Sequence, residues 1–184
     1  MKSLFGYLCL ICMMVLMVGC SEISGYDDND VAATVRGNEI TVGDLRFLYP
    51  DDTALDYLEG AISVELVKQE VKDMSLDISD NLSDNDVWFM ELPPKNTKDE
   101  DGKQIRKFAE SQAKKLDMEP EEYQREYAKK IDEQNAYMVT YLEEKLGAEA
   151  FDGEKGMDSI NEKADYLLVE LAEEYEDEIE VLIE

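Results

Sequence analysis

The chain has 184 residues, with 45 Asp or Glu against 18 Lys or Arg, so its formal net charge is −27 at neutral pH. This charge repels nucleic acids, and we expect no nucleic-acid partner. The sequence contains no histidine, which removes the commonest general base and a leading metal ligand. It also lacks a glycine-rich phosphate loop and a dinucleotide-binding motif. We therefore expect a protein that is not an enzyme and carries no cofactor or metal.

The first twenty residues differ in composition from the rest of the chain. Lys2 precedes an apolar run over residues 4–18, which is typical of a signal peptide and shorter than the roughly 20 residues of a membrane span. Residues 17–20, Met-Val-Gly-Cys, resemble the bacterial lipobox, in which cleavage leaves a diacylated cysteine as the first residue. The resemblance implies a signal peptide over 1–19 and acyl chains such as palmitate on Cys20. The alternative is an uncleaved N-terminal anchor with an unmodified cysteine.

Cleavage at this position would change both the thiol content and the charge. Cys9 and Cys12 would be removed and Cys20 lipidated, which leaves no disulfide and no free thiol. Loss of Lys2 gives a mature net charge of 17 − 45 = −28. We expect a lipoprotein of the cell envelope, on the extracytoplasmic face of a membrane, with residues 20–30 as a polar tether spanning up to about 35 Å.

The expected domain, residues 31–184, opens with a strand and a short helix. Residues 31–36 favour a strand, and residues 37–39 are typical of a turn. Thr41 and Asp44 form a capping-box pattern that predicts a helix to about Tyr49, before Pro50.

Apolar periodicity then predicts several helices and one closing strand. We expect helices over 54–74, 103–116, 120–146 and 157–176, a short helix after a second capping-box pattern at 83–86, and a loop over 91–102. Residues 179–183 alternate and are β-branched, which favours a strand. Two isolated short strands need partners, so the prediction is a mainly α domain in which the strands near 31–36 and 179–183 pair with each other.

The order of these segments resembles the N-terminal chaperone domain of the SurA and PrsA foldases, in the trigger factor/SurA peptide-binding superfamily. Val35, Gly37, Ile40 and Thr41 match a V-x-G-x-x-I-T turn after the first strand, and residues 66–70, Leu-Val-Lys-Gln-Glu, match a second short pattern. The resemblance covers residues 31–184. It implies a helical chaperone fold completed by a last helix and a β-tail.

The chain departs from that family in one informative way. SurA and PrsA carry parvulin prolyl-isomerase domains before the closing segment, whereas here residues 147–156 alone separate the helices. Parvulin sites also use paired histidines, which this chain lacks. The resemblance thus implies chaperone activity without prolyl isomerisation, and it allows a homodimer because related lipoprotein foldases self-associate.

Aromatic and methionine side chains are the candidate client-binding residues, since they suit adaptable apolar surfaces that hold varied peptides. The alternative is packing in the core. Tyr137 and Tyr141 lie one step off the main stripe of their helix, and we expect them to be exposed. The full candidate set is Trp88, Phe89, Met90, Tyr137 and Tyr141.

The leading hypothesis from the sequence is a membrane-anchored, extracytoplasmic, chaperone-like lipoprotein that binds unfolded or exported polypeptides. One alternative is a dedicated protein-interaction subunit of an envelope complex. Another is a small-ligand or calcium-binding lipoprotein, because residues 99–102, Asp-Glu-Asp-Gly, resemble part of an EF-hand loop. Phe108 stands where that loop needs its bidentate acid, which argues against calcium.

Overall fold

The computed structural model of the chain describes residues 23–83, 90–147 and 157–183. The fold is mainly helical with a small antiparallel sheet, as the sequence predicts. The described helices are α1 (Val42–Leu48), α2 (Leu58–Asp73), α3 (Glu100–Lys115), α4 (Pro120–Leu146) and α5 (Met157–Glu174). The strands are β1 (Val31–Val35), β2 (Asn38–Thr41) and β3 (Ile179–Val181).

The sheet joins the two ends of the domain. β1 lies in the middle, and β3 pairs with it antiparallel so that Ala33 faces Val181 and Val35 faces Ile179. The predicted pairing of the two terminal strands is confirmed. The hairpin strand β2, however, was not predicted from the sequence.

The turn before β2 is tighter than the sequence suggested. Arg36 and Gly37 both have positive φ values, 49° and 83°, which is the geometry of a two-residue type I′ hairpin. The chain therefore reverses within two residues, and Asn38 already pairs with Val35. The prediction of a turn over residues 37–39 was wrong in its extent.

The capping box at the start of α1 is present as predicted. Thr41 Oγ1 accepts a hydrogen bond from the Asp44 amide at 3.1 Å, and Asp44 Oδ2 accepts one from the Thr41 amide at 3.2 Å. The helix ends at Leu48, two residues before Pro50, because the residue preceding a proline disfavours helical geometry.

The main core lies between the sheet and the helices α2, α4 and α5. α2 packs against β1, α4 and α5, and it buries one face with Ile62, Leu66, Val67 and Val71. The side chains with no exposed surface in this core are Ile23, Ala32, Ala33, Val35, Val42, Leu45, Ala54, Leu66 and Val67.

Several helix boundaries differ by a few residues from the prediction. α3 begins at Glu100 rather than Lys103, because Asp99 Oδ2 caps it by accepting a hydrogen bond from the Gly102 amide at 2.7 Å. The predicted helix over 54–74 begins as a 3₁₀ turn and becomes α-helical at Leu58. α4 has the predicted bounds and ends at Gly147, whose φ is 85°. Apart from Ser83, the short helix predicted after residue 83 lies outside the described residues.

The expected tether over 20–30 is wrong for its second part. Ile23 is fully buried in the main core, so the folded domain includes residues before Val31. Three of the residues 27–30 are aspartate, which predicts exposure to solvent, but the backbone carbonyls of Asp28 and Asp30 are hydrogen-bonded to the rest of the domain. The Asp30 carbonyl accepts from the Val42 amide and the Asp28 carbonyl from the Gly43 amide, two donors at the start of α1 that have no partner within the helix.

Candidate functional site

An apolar groove lies between α3 and the first half of α4. It has a volume of about 430 Å³ and is open to solvent along one side. We call it the α3–α4 groove. Its lining residues are Glu91, Pro93, Gln104, Ile105, Phe108, Gln124, Tyr127, Ala128 and Ile131.

An aromatic cluster forms the floor of the groove. The Phe108 ring lies 5.5 Å from the Tyr127 ring and 6.1 Å from the Tyr123 ring, centroid to centroid. Tyr123 is fully buried and donates its hydroxyl to the Phe47 carbonyl at 2.9 Å. Burial raises the pKa of Tyr123 above its usual range, so the phenol stays neutral. The floor is therefore apolar and uncharged.

Small residues set the depth of the groove. Ala109 and Ala113 on α3 have no exposed surface and pack with Tyr123 in a second, smaller core. Alanine lets the two helices approach closely at that level, while Ile105 and Phe108 on the neighbouring positions remain only partly buried. Ile105 and Phe108 thus line the cleft, and the Phe108 ring contacts the Tyr127 ring of α4 within it.

The groove continues toward the N-terminus of α3 as a second cavity of about 370 Å³. The two cavities share Glu91, Pro93 and Ile105, so they form one continuous surface. The added lining includes Leu92, Pro94, Thr97 and the carboxylates of Asp99 and Asp101.

The loop that forms one wall of the groove is fixed to α3. Arg106 Nε donates a hydrogen bond to the Pro93 carbonyl at 2.5 Å, and its Nη1 donates to Glu110 at 2.9 Å. The Arg106 side chain is only 12% exposed. This arginine holds Pro93 against the helix and so defines the width of the groove.

Buried polar side chains of α3 fix the other side of this helix to the end of α1. Gln112 Nε2 donates to the carbonyls of Arg46 and Tyr49 at 3.1 and 3.0 Å. Lys115 Nζ donates to the Tyr49 carbonyl and pairs with Asp51, both at 2.9 Å. Burial lowers the pKa of the Lys115 ammonium, and the nearby Asp51 carboxylate opposes this effect. These bonds satisfy the last carbonyls of α1, which lack intrahelical partners.

The predicted client-binding tyrosines do not lie in the groove. Tyr141 is only 2% exposed and belongs to the main core, so the expectation that it is exposed is wrong. Burial and nearby carboxylates, Glu70 among them, raise its pKa to about 12. Tyr137 is half-buried at the edge of the same core. Lys68 and Lys72 lie over its ring at 5.8 and 5.9 Å.

The other three candidates lie at or beyond the border of the described residues. Met90 is partly buried and immediately precedes Glu91, which lines the groove. Trp88 and Phe89 lie outside the described residues. The groove residues Ile105, Phe108, Tyr127 and Ile131 lie on the apolar faces of α3 and α4, and all four stay partly exposed because the two helices leave a cleft between them.

Within residues 23–83, 90–147 and 157–183, no group of three or more acidic, cysteine or histidine side chains could hold a metal ion. In the same described ranges, no helix is both long and apolar enough to cross a bilayer. Asp99, part of the EF-hand-like pattern, uses one carboxylate oxygen to cap α3.

Comparison with known proteins gave no relative. No family model matches the chain, and neither the curated proteins nor the solved structures include a similar one. The likeness of residues 31–184 to the SurA and PrsA chaperone domains therefore stays a prediction based on short motifs.

Proposed function

We propose that this protein is a membrane-anchored, extracytoplasmic binding protein for unfolded or exported polypeptides, without prolyl isomerase activity. The observation that carries the proposal is the α3–α4 groove, a half-open cleft of about 430 Å³ lined by partly exposed Ile105, Phe108, Tyr127 and Ile131. Its volume lies within the range of about 300–1,000 Å³ that is usual for ligand sites. Anchoring would come from lipid on Cys20.

The chemistry of the groove indicates which segments it binds. The floor is apolar, so it suits one or two large apolar side chains of an extended segment. The rim carries the carboxylates of Glu91, Asp99 and Asp101, and the mature chain has an expected charge of −28. Complementarity therefore favours apolar segments flanked by lysine or arginine. The exposed amide of Gln104 at the rim can hydrogen-bond the main chain of such a segment.

Peptide binding tests the groove directly. Two fluorescent peptides with the same apolar centre, one flanked by lysine and one by glutamate, are titrated with residues 21–184 and followed by anisotropy. We expect the lysine-flanked peptide to bind more tightly, and we expect its advantage to shrink at high salt. Absence of binding by both peptides would contradict the proposal.

Matched variants locate the binding surface. Ile105→Gln with Ile131→Gln polarises the groove, and Tyr166→Gln with Val169→Gln makes the same change on α5, where these side chains are 67% and 57% exposed. We expect only the groove variant to lose peptide binding while both keep their helical circular dichroism. Equal loss in both variants would contradict the assignment. If the groove variant instead dissociates a dimer in sedimentation, the occupant is a second copy of the chain and the proposal is wrong.

The predicted contacts of Trp88, Phe89 and Met90 are tested separately. These residues precede Glu91 and Pro93, which line the groove, so alanine at Trp88 and Phe89 is expected to weaken peptide binding. A gain in affinity would mean that the chain's own side chains compete for the groove, which contradicts the proposal for the native protein.

Lipidation has its own test. Cys20→Ser is expected to release the protein from the membrane fraction, and mass spectrometry of the native N-terminal peptide should show acyl chains on Cys20. Membrane retention of the serine variant would contradict the anchor.

A further inference from the structure

We propose that the folded domain rests directly on the bilayer surface, with the segment 23–30 at the contact, and does not hang from a flexible tether. The inference depends on the lipid anchor at Cys20 in the proposed function. It concerns a second surface of the molecule, separate from the α3–α4 groove.

The segment that would form the tether is folded onto the domain. Ile23 has no exposed surface and belongs to the main core. The Tyr26 amide donates to the Ile23 carbonyl at 3.1 Å, and the Asp30 amide donates to the Asp27 carbonyl at 2.9 Å. Asp30 Oδ2 in turn accepts from the Asp27 amide at 2.8 Å. These bonds make two successive tight turns directly after Ile23.

The same segment is fastened to the start of α1. The Gly43 amide donates to the Asp28 carbonyl at 2.8 Å and the Val42 amide to the Asp30 carbonyl at 2.9 Å. Arg46 also forms an ion pair with Asp28. Position 43 has to be glycine for this approach, because a Cβ there would lie 2.9 Å from the Asp28 carbonyl oxygen. Peeling the segment away would exchange the protein partners of two amides at the start of α1 for water.

The remaining spacer is therefore very short. Ser21 and Glu22 alone separate Cys20 from buried Ile23, and three Cα–Cα steps span at most about 11 Å. An acylated Cys20 lies at the headgroup level, so Ile23 cannot be farther than that from the lipid surface. A free tether over residues 20–30 would allow about three times this distance.

The charge of the segment indicates which lipid surface fits. Asp27, Asp28 and Asp30 are exposed, and a spacing of about 11 Å is comparable to the screening length of about 8 Å at physiological salt. Anionic headgroups would therefore repel this contact, whereas zwitterionic headgroups would accept it. Ile23 belongs to the main core and the groove residues Phe108 and Tyr127 to the second core, so the anchor and the groove lie on different parts of the domain.

Energy transfer between the protein and the bilayer tests this arrangement. The chain from residue 20 onward carries a single cysteine, Cys20, which is coupled to a maleimide lipid in phosphatidylcholine vesicles that contain a headgroup acceptor dye. A fluorescent amino acid at the exposed position Asn29 is the donor. Chemical coupling bypasses cellular lipidation, so a failure of natural lipidation and a failure of this contact give different results.

Two variants provide the comparison. A ten-residue Gly-Ser insertion between Glu22 and Ile23 adds a coil with an end-to-end distance of about 18 Å, and we expect transfer efficiency to fall at least about two-fold. Gly43→Ala should shift transfer in the same direction by loosening residues 27–30, with circular dichroism confirming the fold. Unchanged transfer on insertion would overturn the proposal.

Lipid charge gives an independent result. Phosphatidylglycerol in place of part of the phosphatidylcholine should lower transfer at low salt, and added salt should restore it. Higher transfer on the anionic vesicles would overturn the proposed contact surface.

Discussion

The guanidinium of Arg36 lies over the ring of Tyr175, 4.2 Å from the ring centroid. Both side chains also donate a hydrogen bond to Glu70 Oε1, at 3.2 Å from Arg36 and 2.8 Å from Tyr175, and Arg36 pairs with Asp73 at 2.9 Å. The hydrogen bond to Glu70 raises the pKa of the Tyr175 phenol. This contact joins the β1–β2 turn, α2 and the residue after α5, so it holds the C-terminal strand on the sheet.

A double-mutant cycle measures the coupling between these two residues. Arg36→Gln, Tyr175→Leu and the combined variant are unfolded in urea, and the free energies of unfolding are compared. We expect a coupling of about 0.5–1 kcal/mol, because the cation–π contact is partly exposed. Strictly additive losses would contradict a direct interaction.

The hairpin turn predicts a clear difference between two glycines. Gly37→Ala is expected to lower the free energy of unfolding by about 1–2 kcal/mol, because φ there is 83° and alanine is strained in that backbone conformation. No atom lies within 4 Å of the new Cβ, so a steric clash does not contribute. Gly60→Ala in α2 is the matched control, with open space and a helical backbone, and it should raise stability by roughly 0.5 kcal/mol. Equal effects at both sites would contradict the type I′ turn.

Lys115 on α3 should matter far more than its neighbour. Lys115→Met removes a charged donor from the Tyr49 carbonyl and from Asp51, and we expect a loss of about 1–2 kcal/mol from the lost hydrogen bonds, because Asp51 keeps its ion pair with Arg46. Lys114→Met, at an exposed position, should change stability by less than about 0.5 kcal/mol. Thermal and urea unfolding of both variants checks this. A similar loss in both would contradict the proposed link between α3 and α1.

Asp44 predicts a pH-dependent contribution to stability. Burial alone would raise its pKa, but hydrogen bonds from Lys130 and Thr41 outweigh this effect and hold the pKa below its usual value. The folded-state pKa is thus lower than the unfolded one, so the contribution is present above about pH 4 and is lost as pH falls through the folded-state pKa. Because the carboxylate is 45% exposed, we expect less than about 1 kcal/mol.

The variant Asp44→Asn isolates that contribution. The difference in unfolding free energy between native protein and variant should be constant from about pH 5 to 7 and shrink below about pH 4. Asp52→Asn, at an exposed position, is the control, because it shows how much stability changes when any one negative charge is removed from this acidic chain. A difference that grows as pH falls would contradict the sign of the shift.

The sequence predicted the helical fold where local signals and tertiary contacts agree. The Thr41–Asp44 capping box, Pro120 at the start of α4 and Gly147 at its end all lie where the patterns place them. The pairing of the two terminal strands was also predicted correctly, because isolated short strands need partners.

The sequence did not reveal features that depend on a neighbour far along the chain. One such feature is the burial of Ile23. Another is the hydrogen bond that the Asp28 carbonyl accepts at the start of α1, which involves the backbone and cannot be predicted from an acidic side chain. Gly43 was the available signal, since a glycine at the second position of a helix suggests a close approach. The prediction that Tyr141 is exposed was wrong because it assumed that α4 has one buried face, marked by a single apolar stripe. In the structure α4 is buried on two faces, against α3 near Tyr123 and against α2 near Leu142.

The most direct test of the central claim is the aggregation of a chemically unfolded test protein in the presence of residues 21–184. The native chain and the exposed α5 variant, Tyr166→Gln with Val169→Gln, should suppress aggregation at a near-stoichiometric ratio. The groove variant, Ile105→Gln with Ile131→Gln, should not. Absence of suppression by the native chain at large excess, or equal suppression by both variants, would contradict a polypeptide-binding function of the α3–α4 groove.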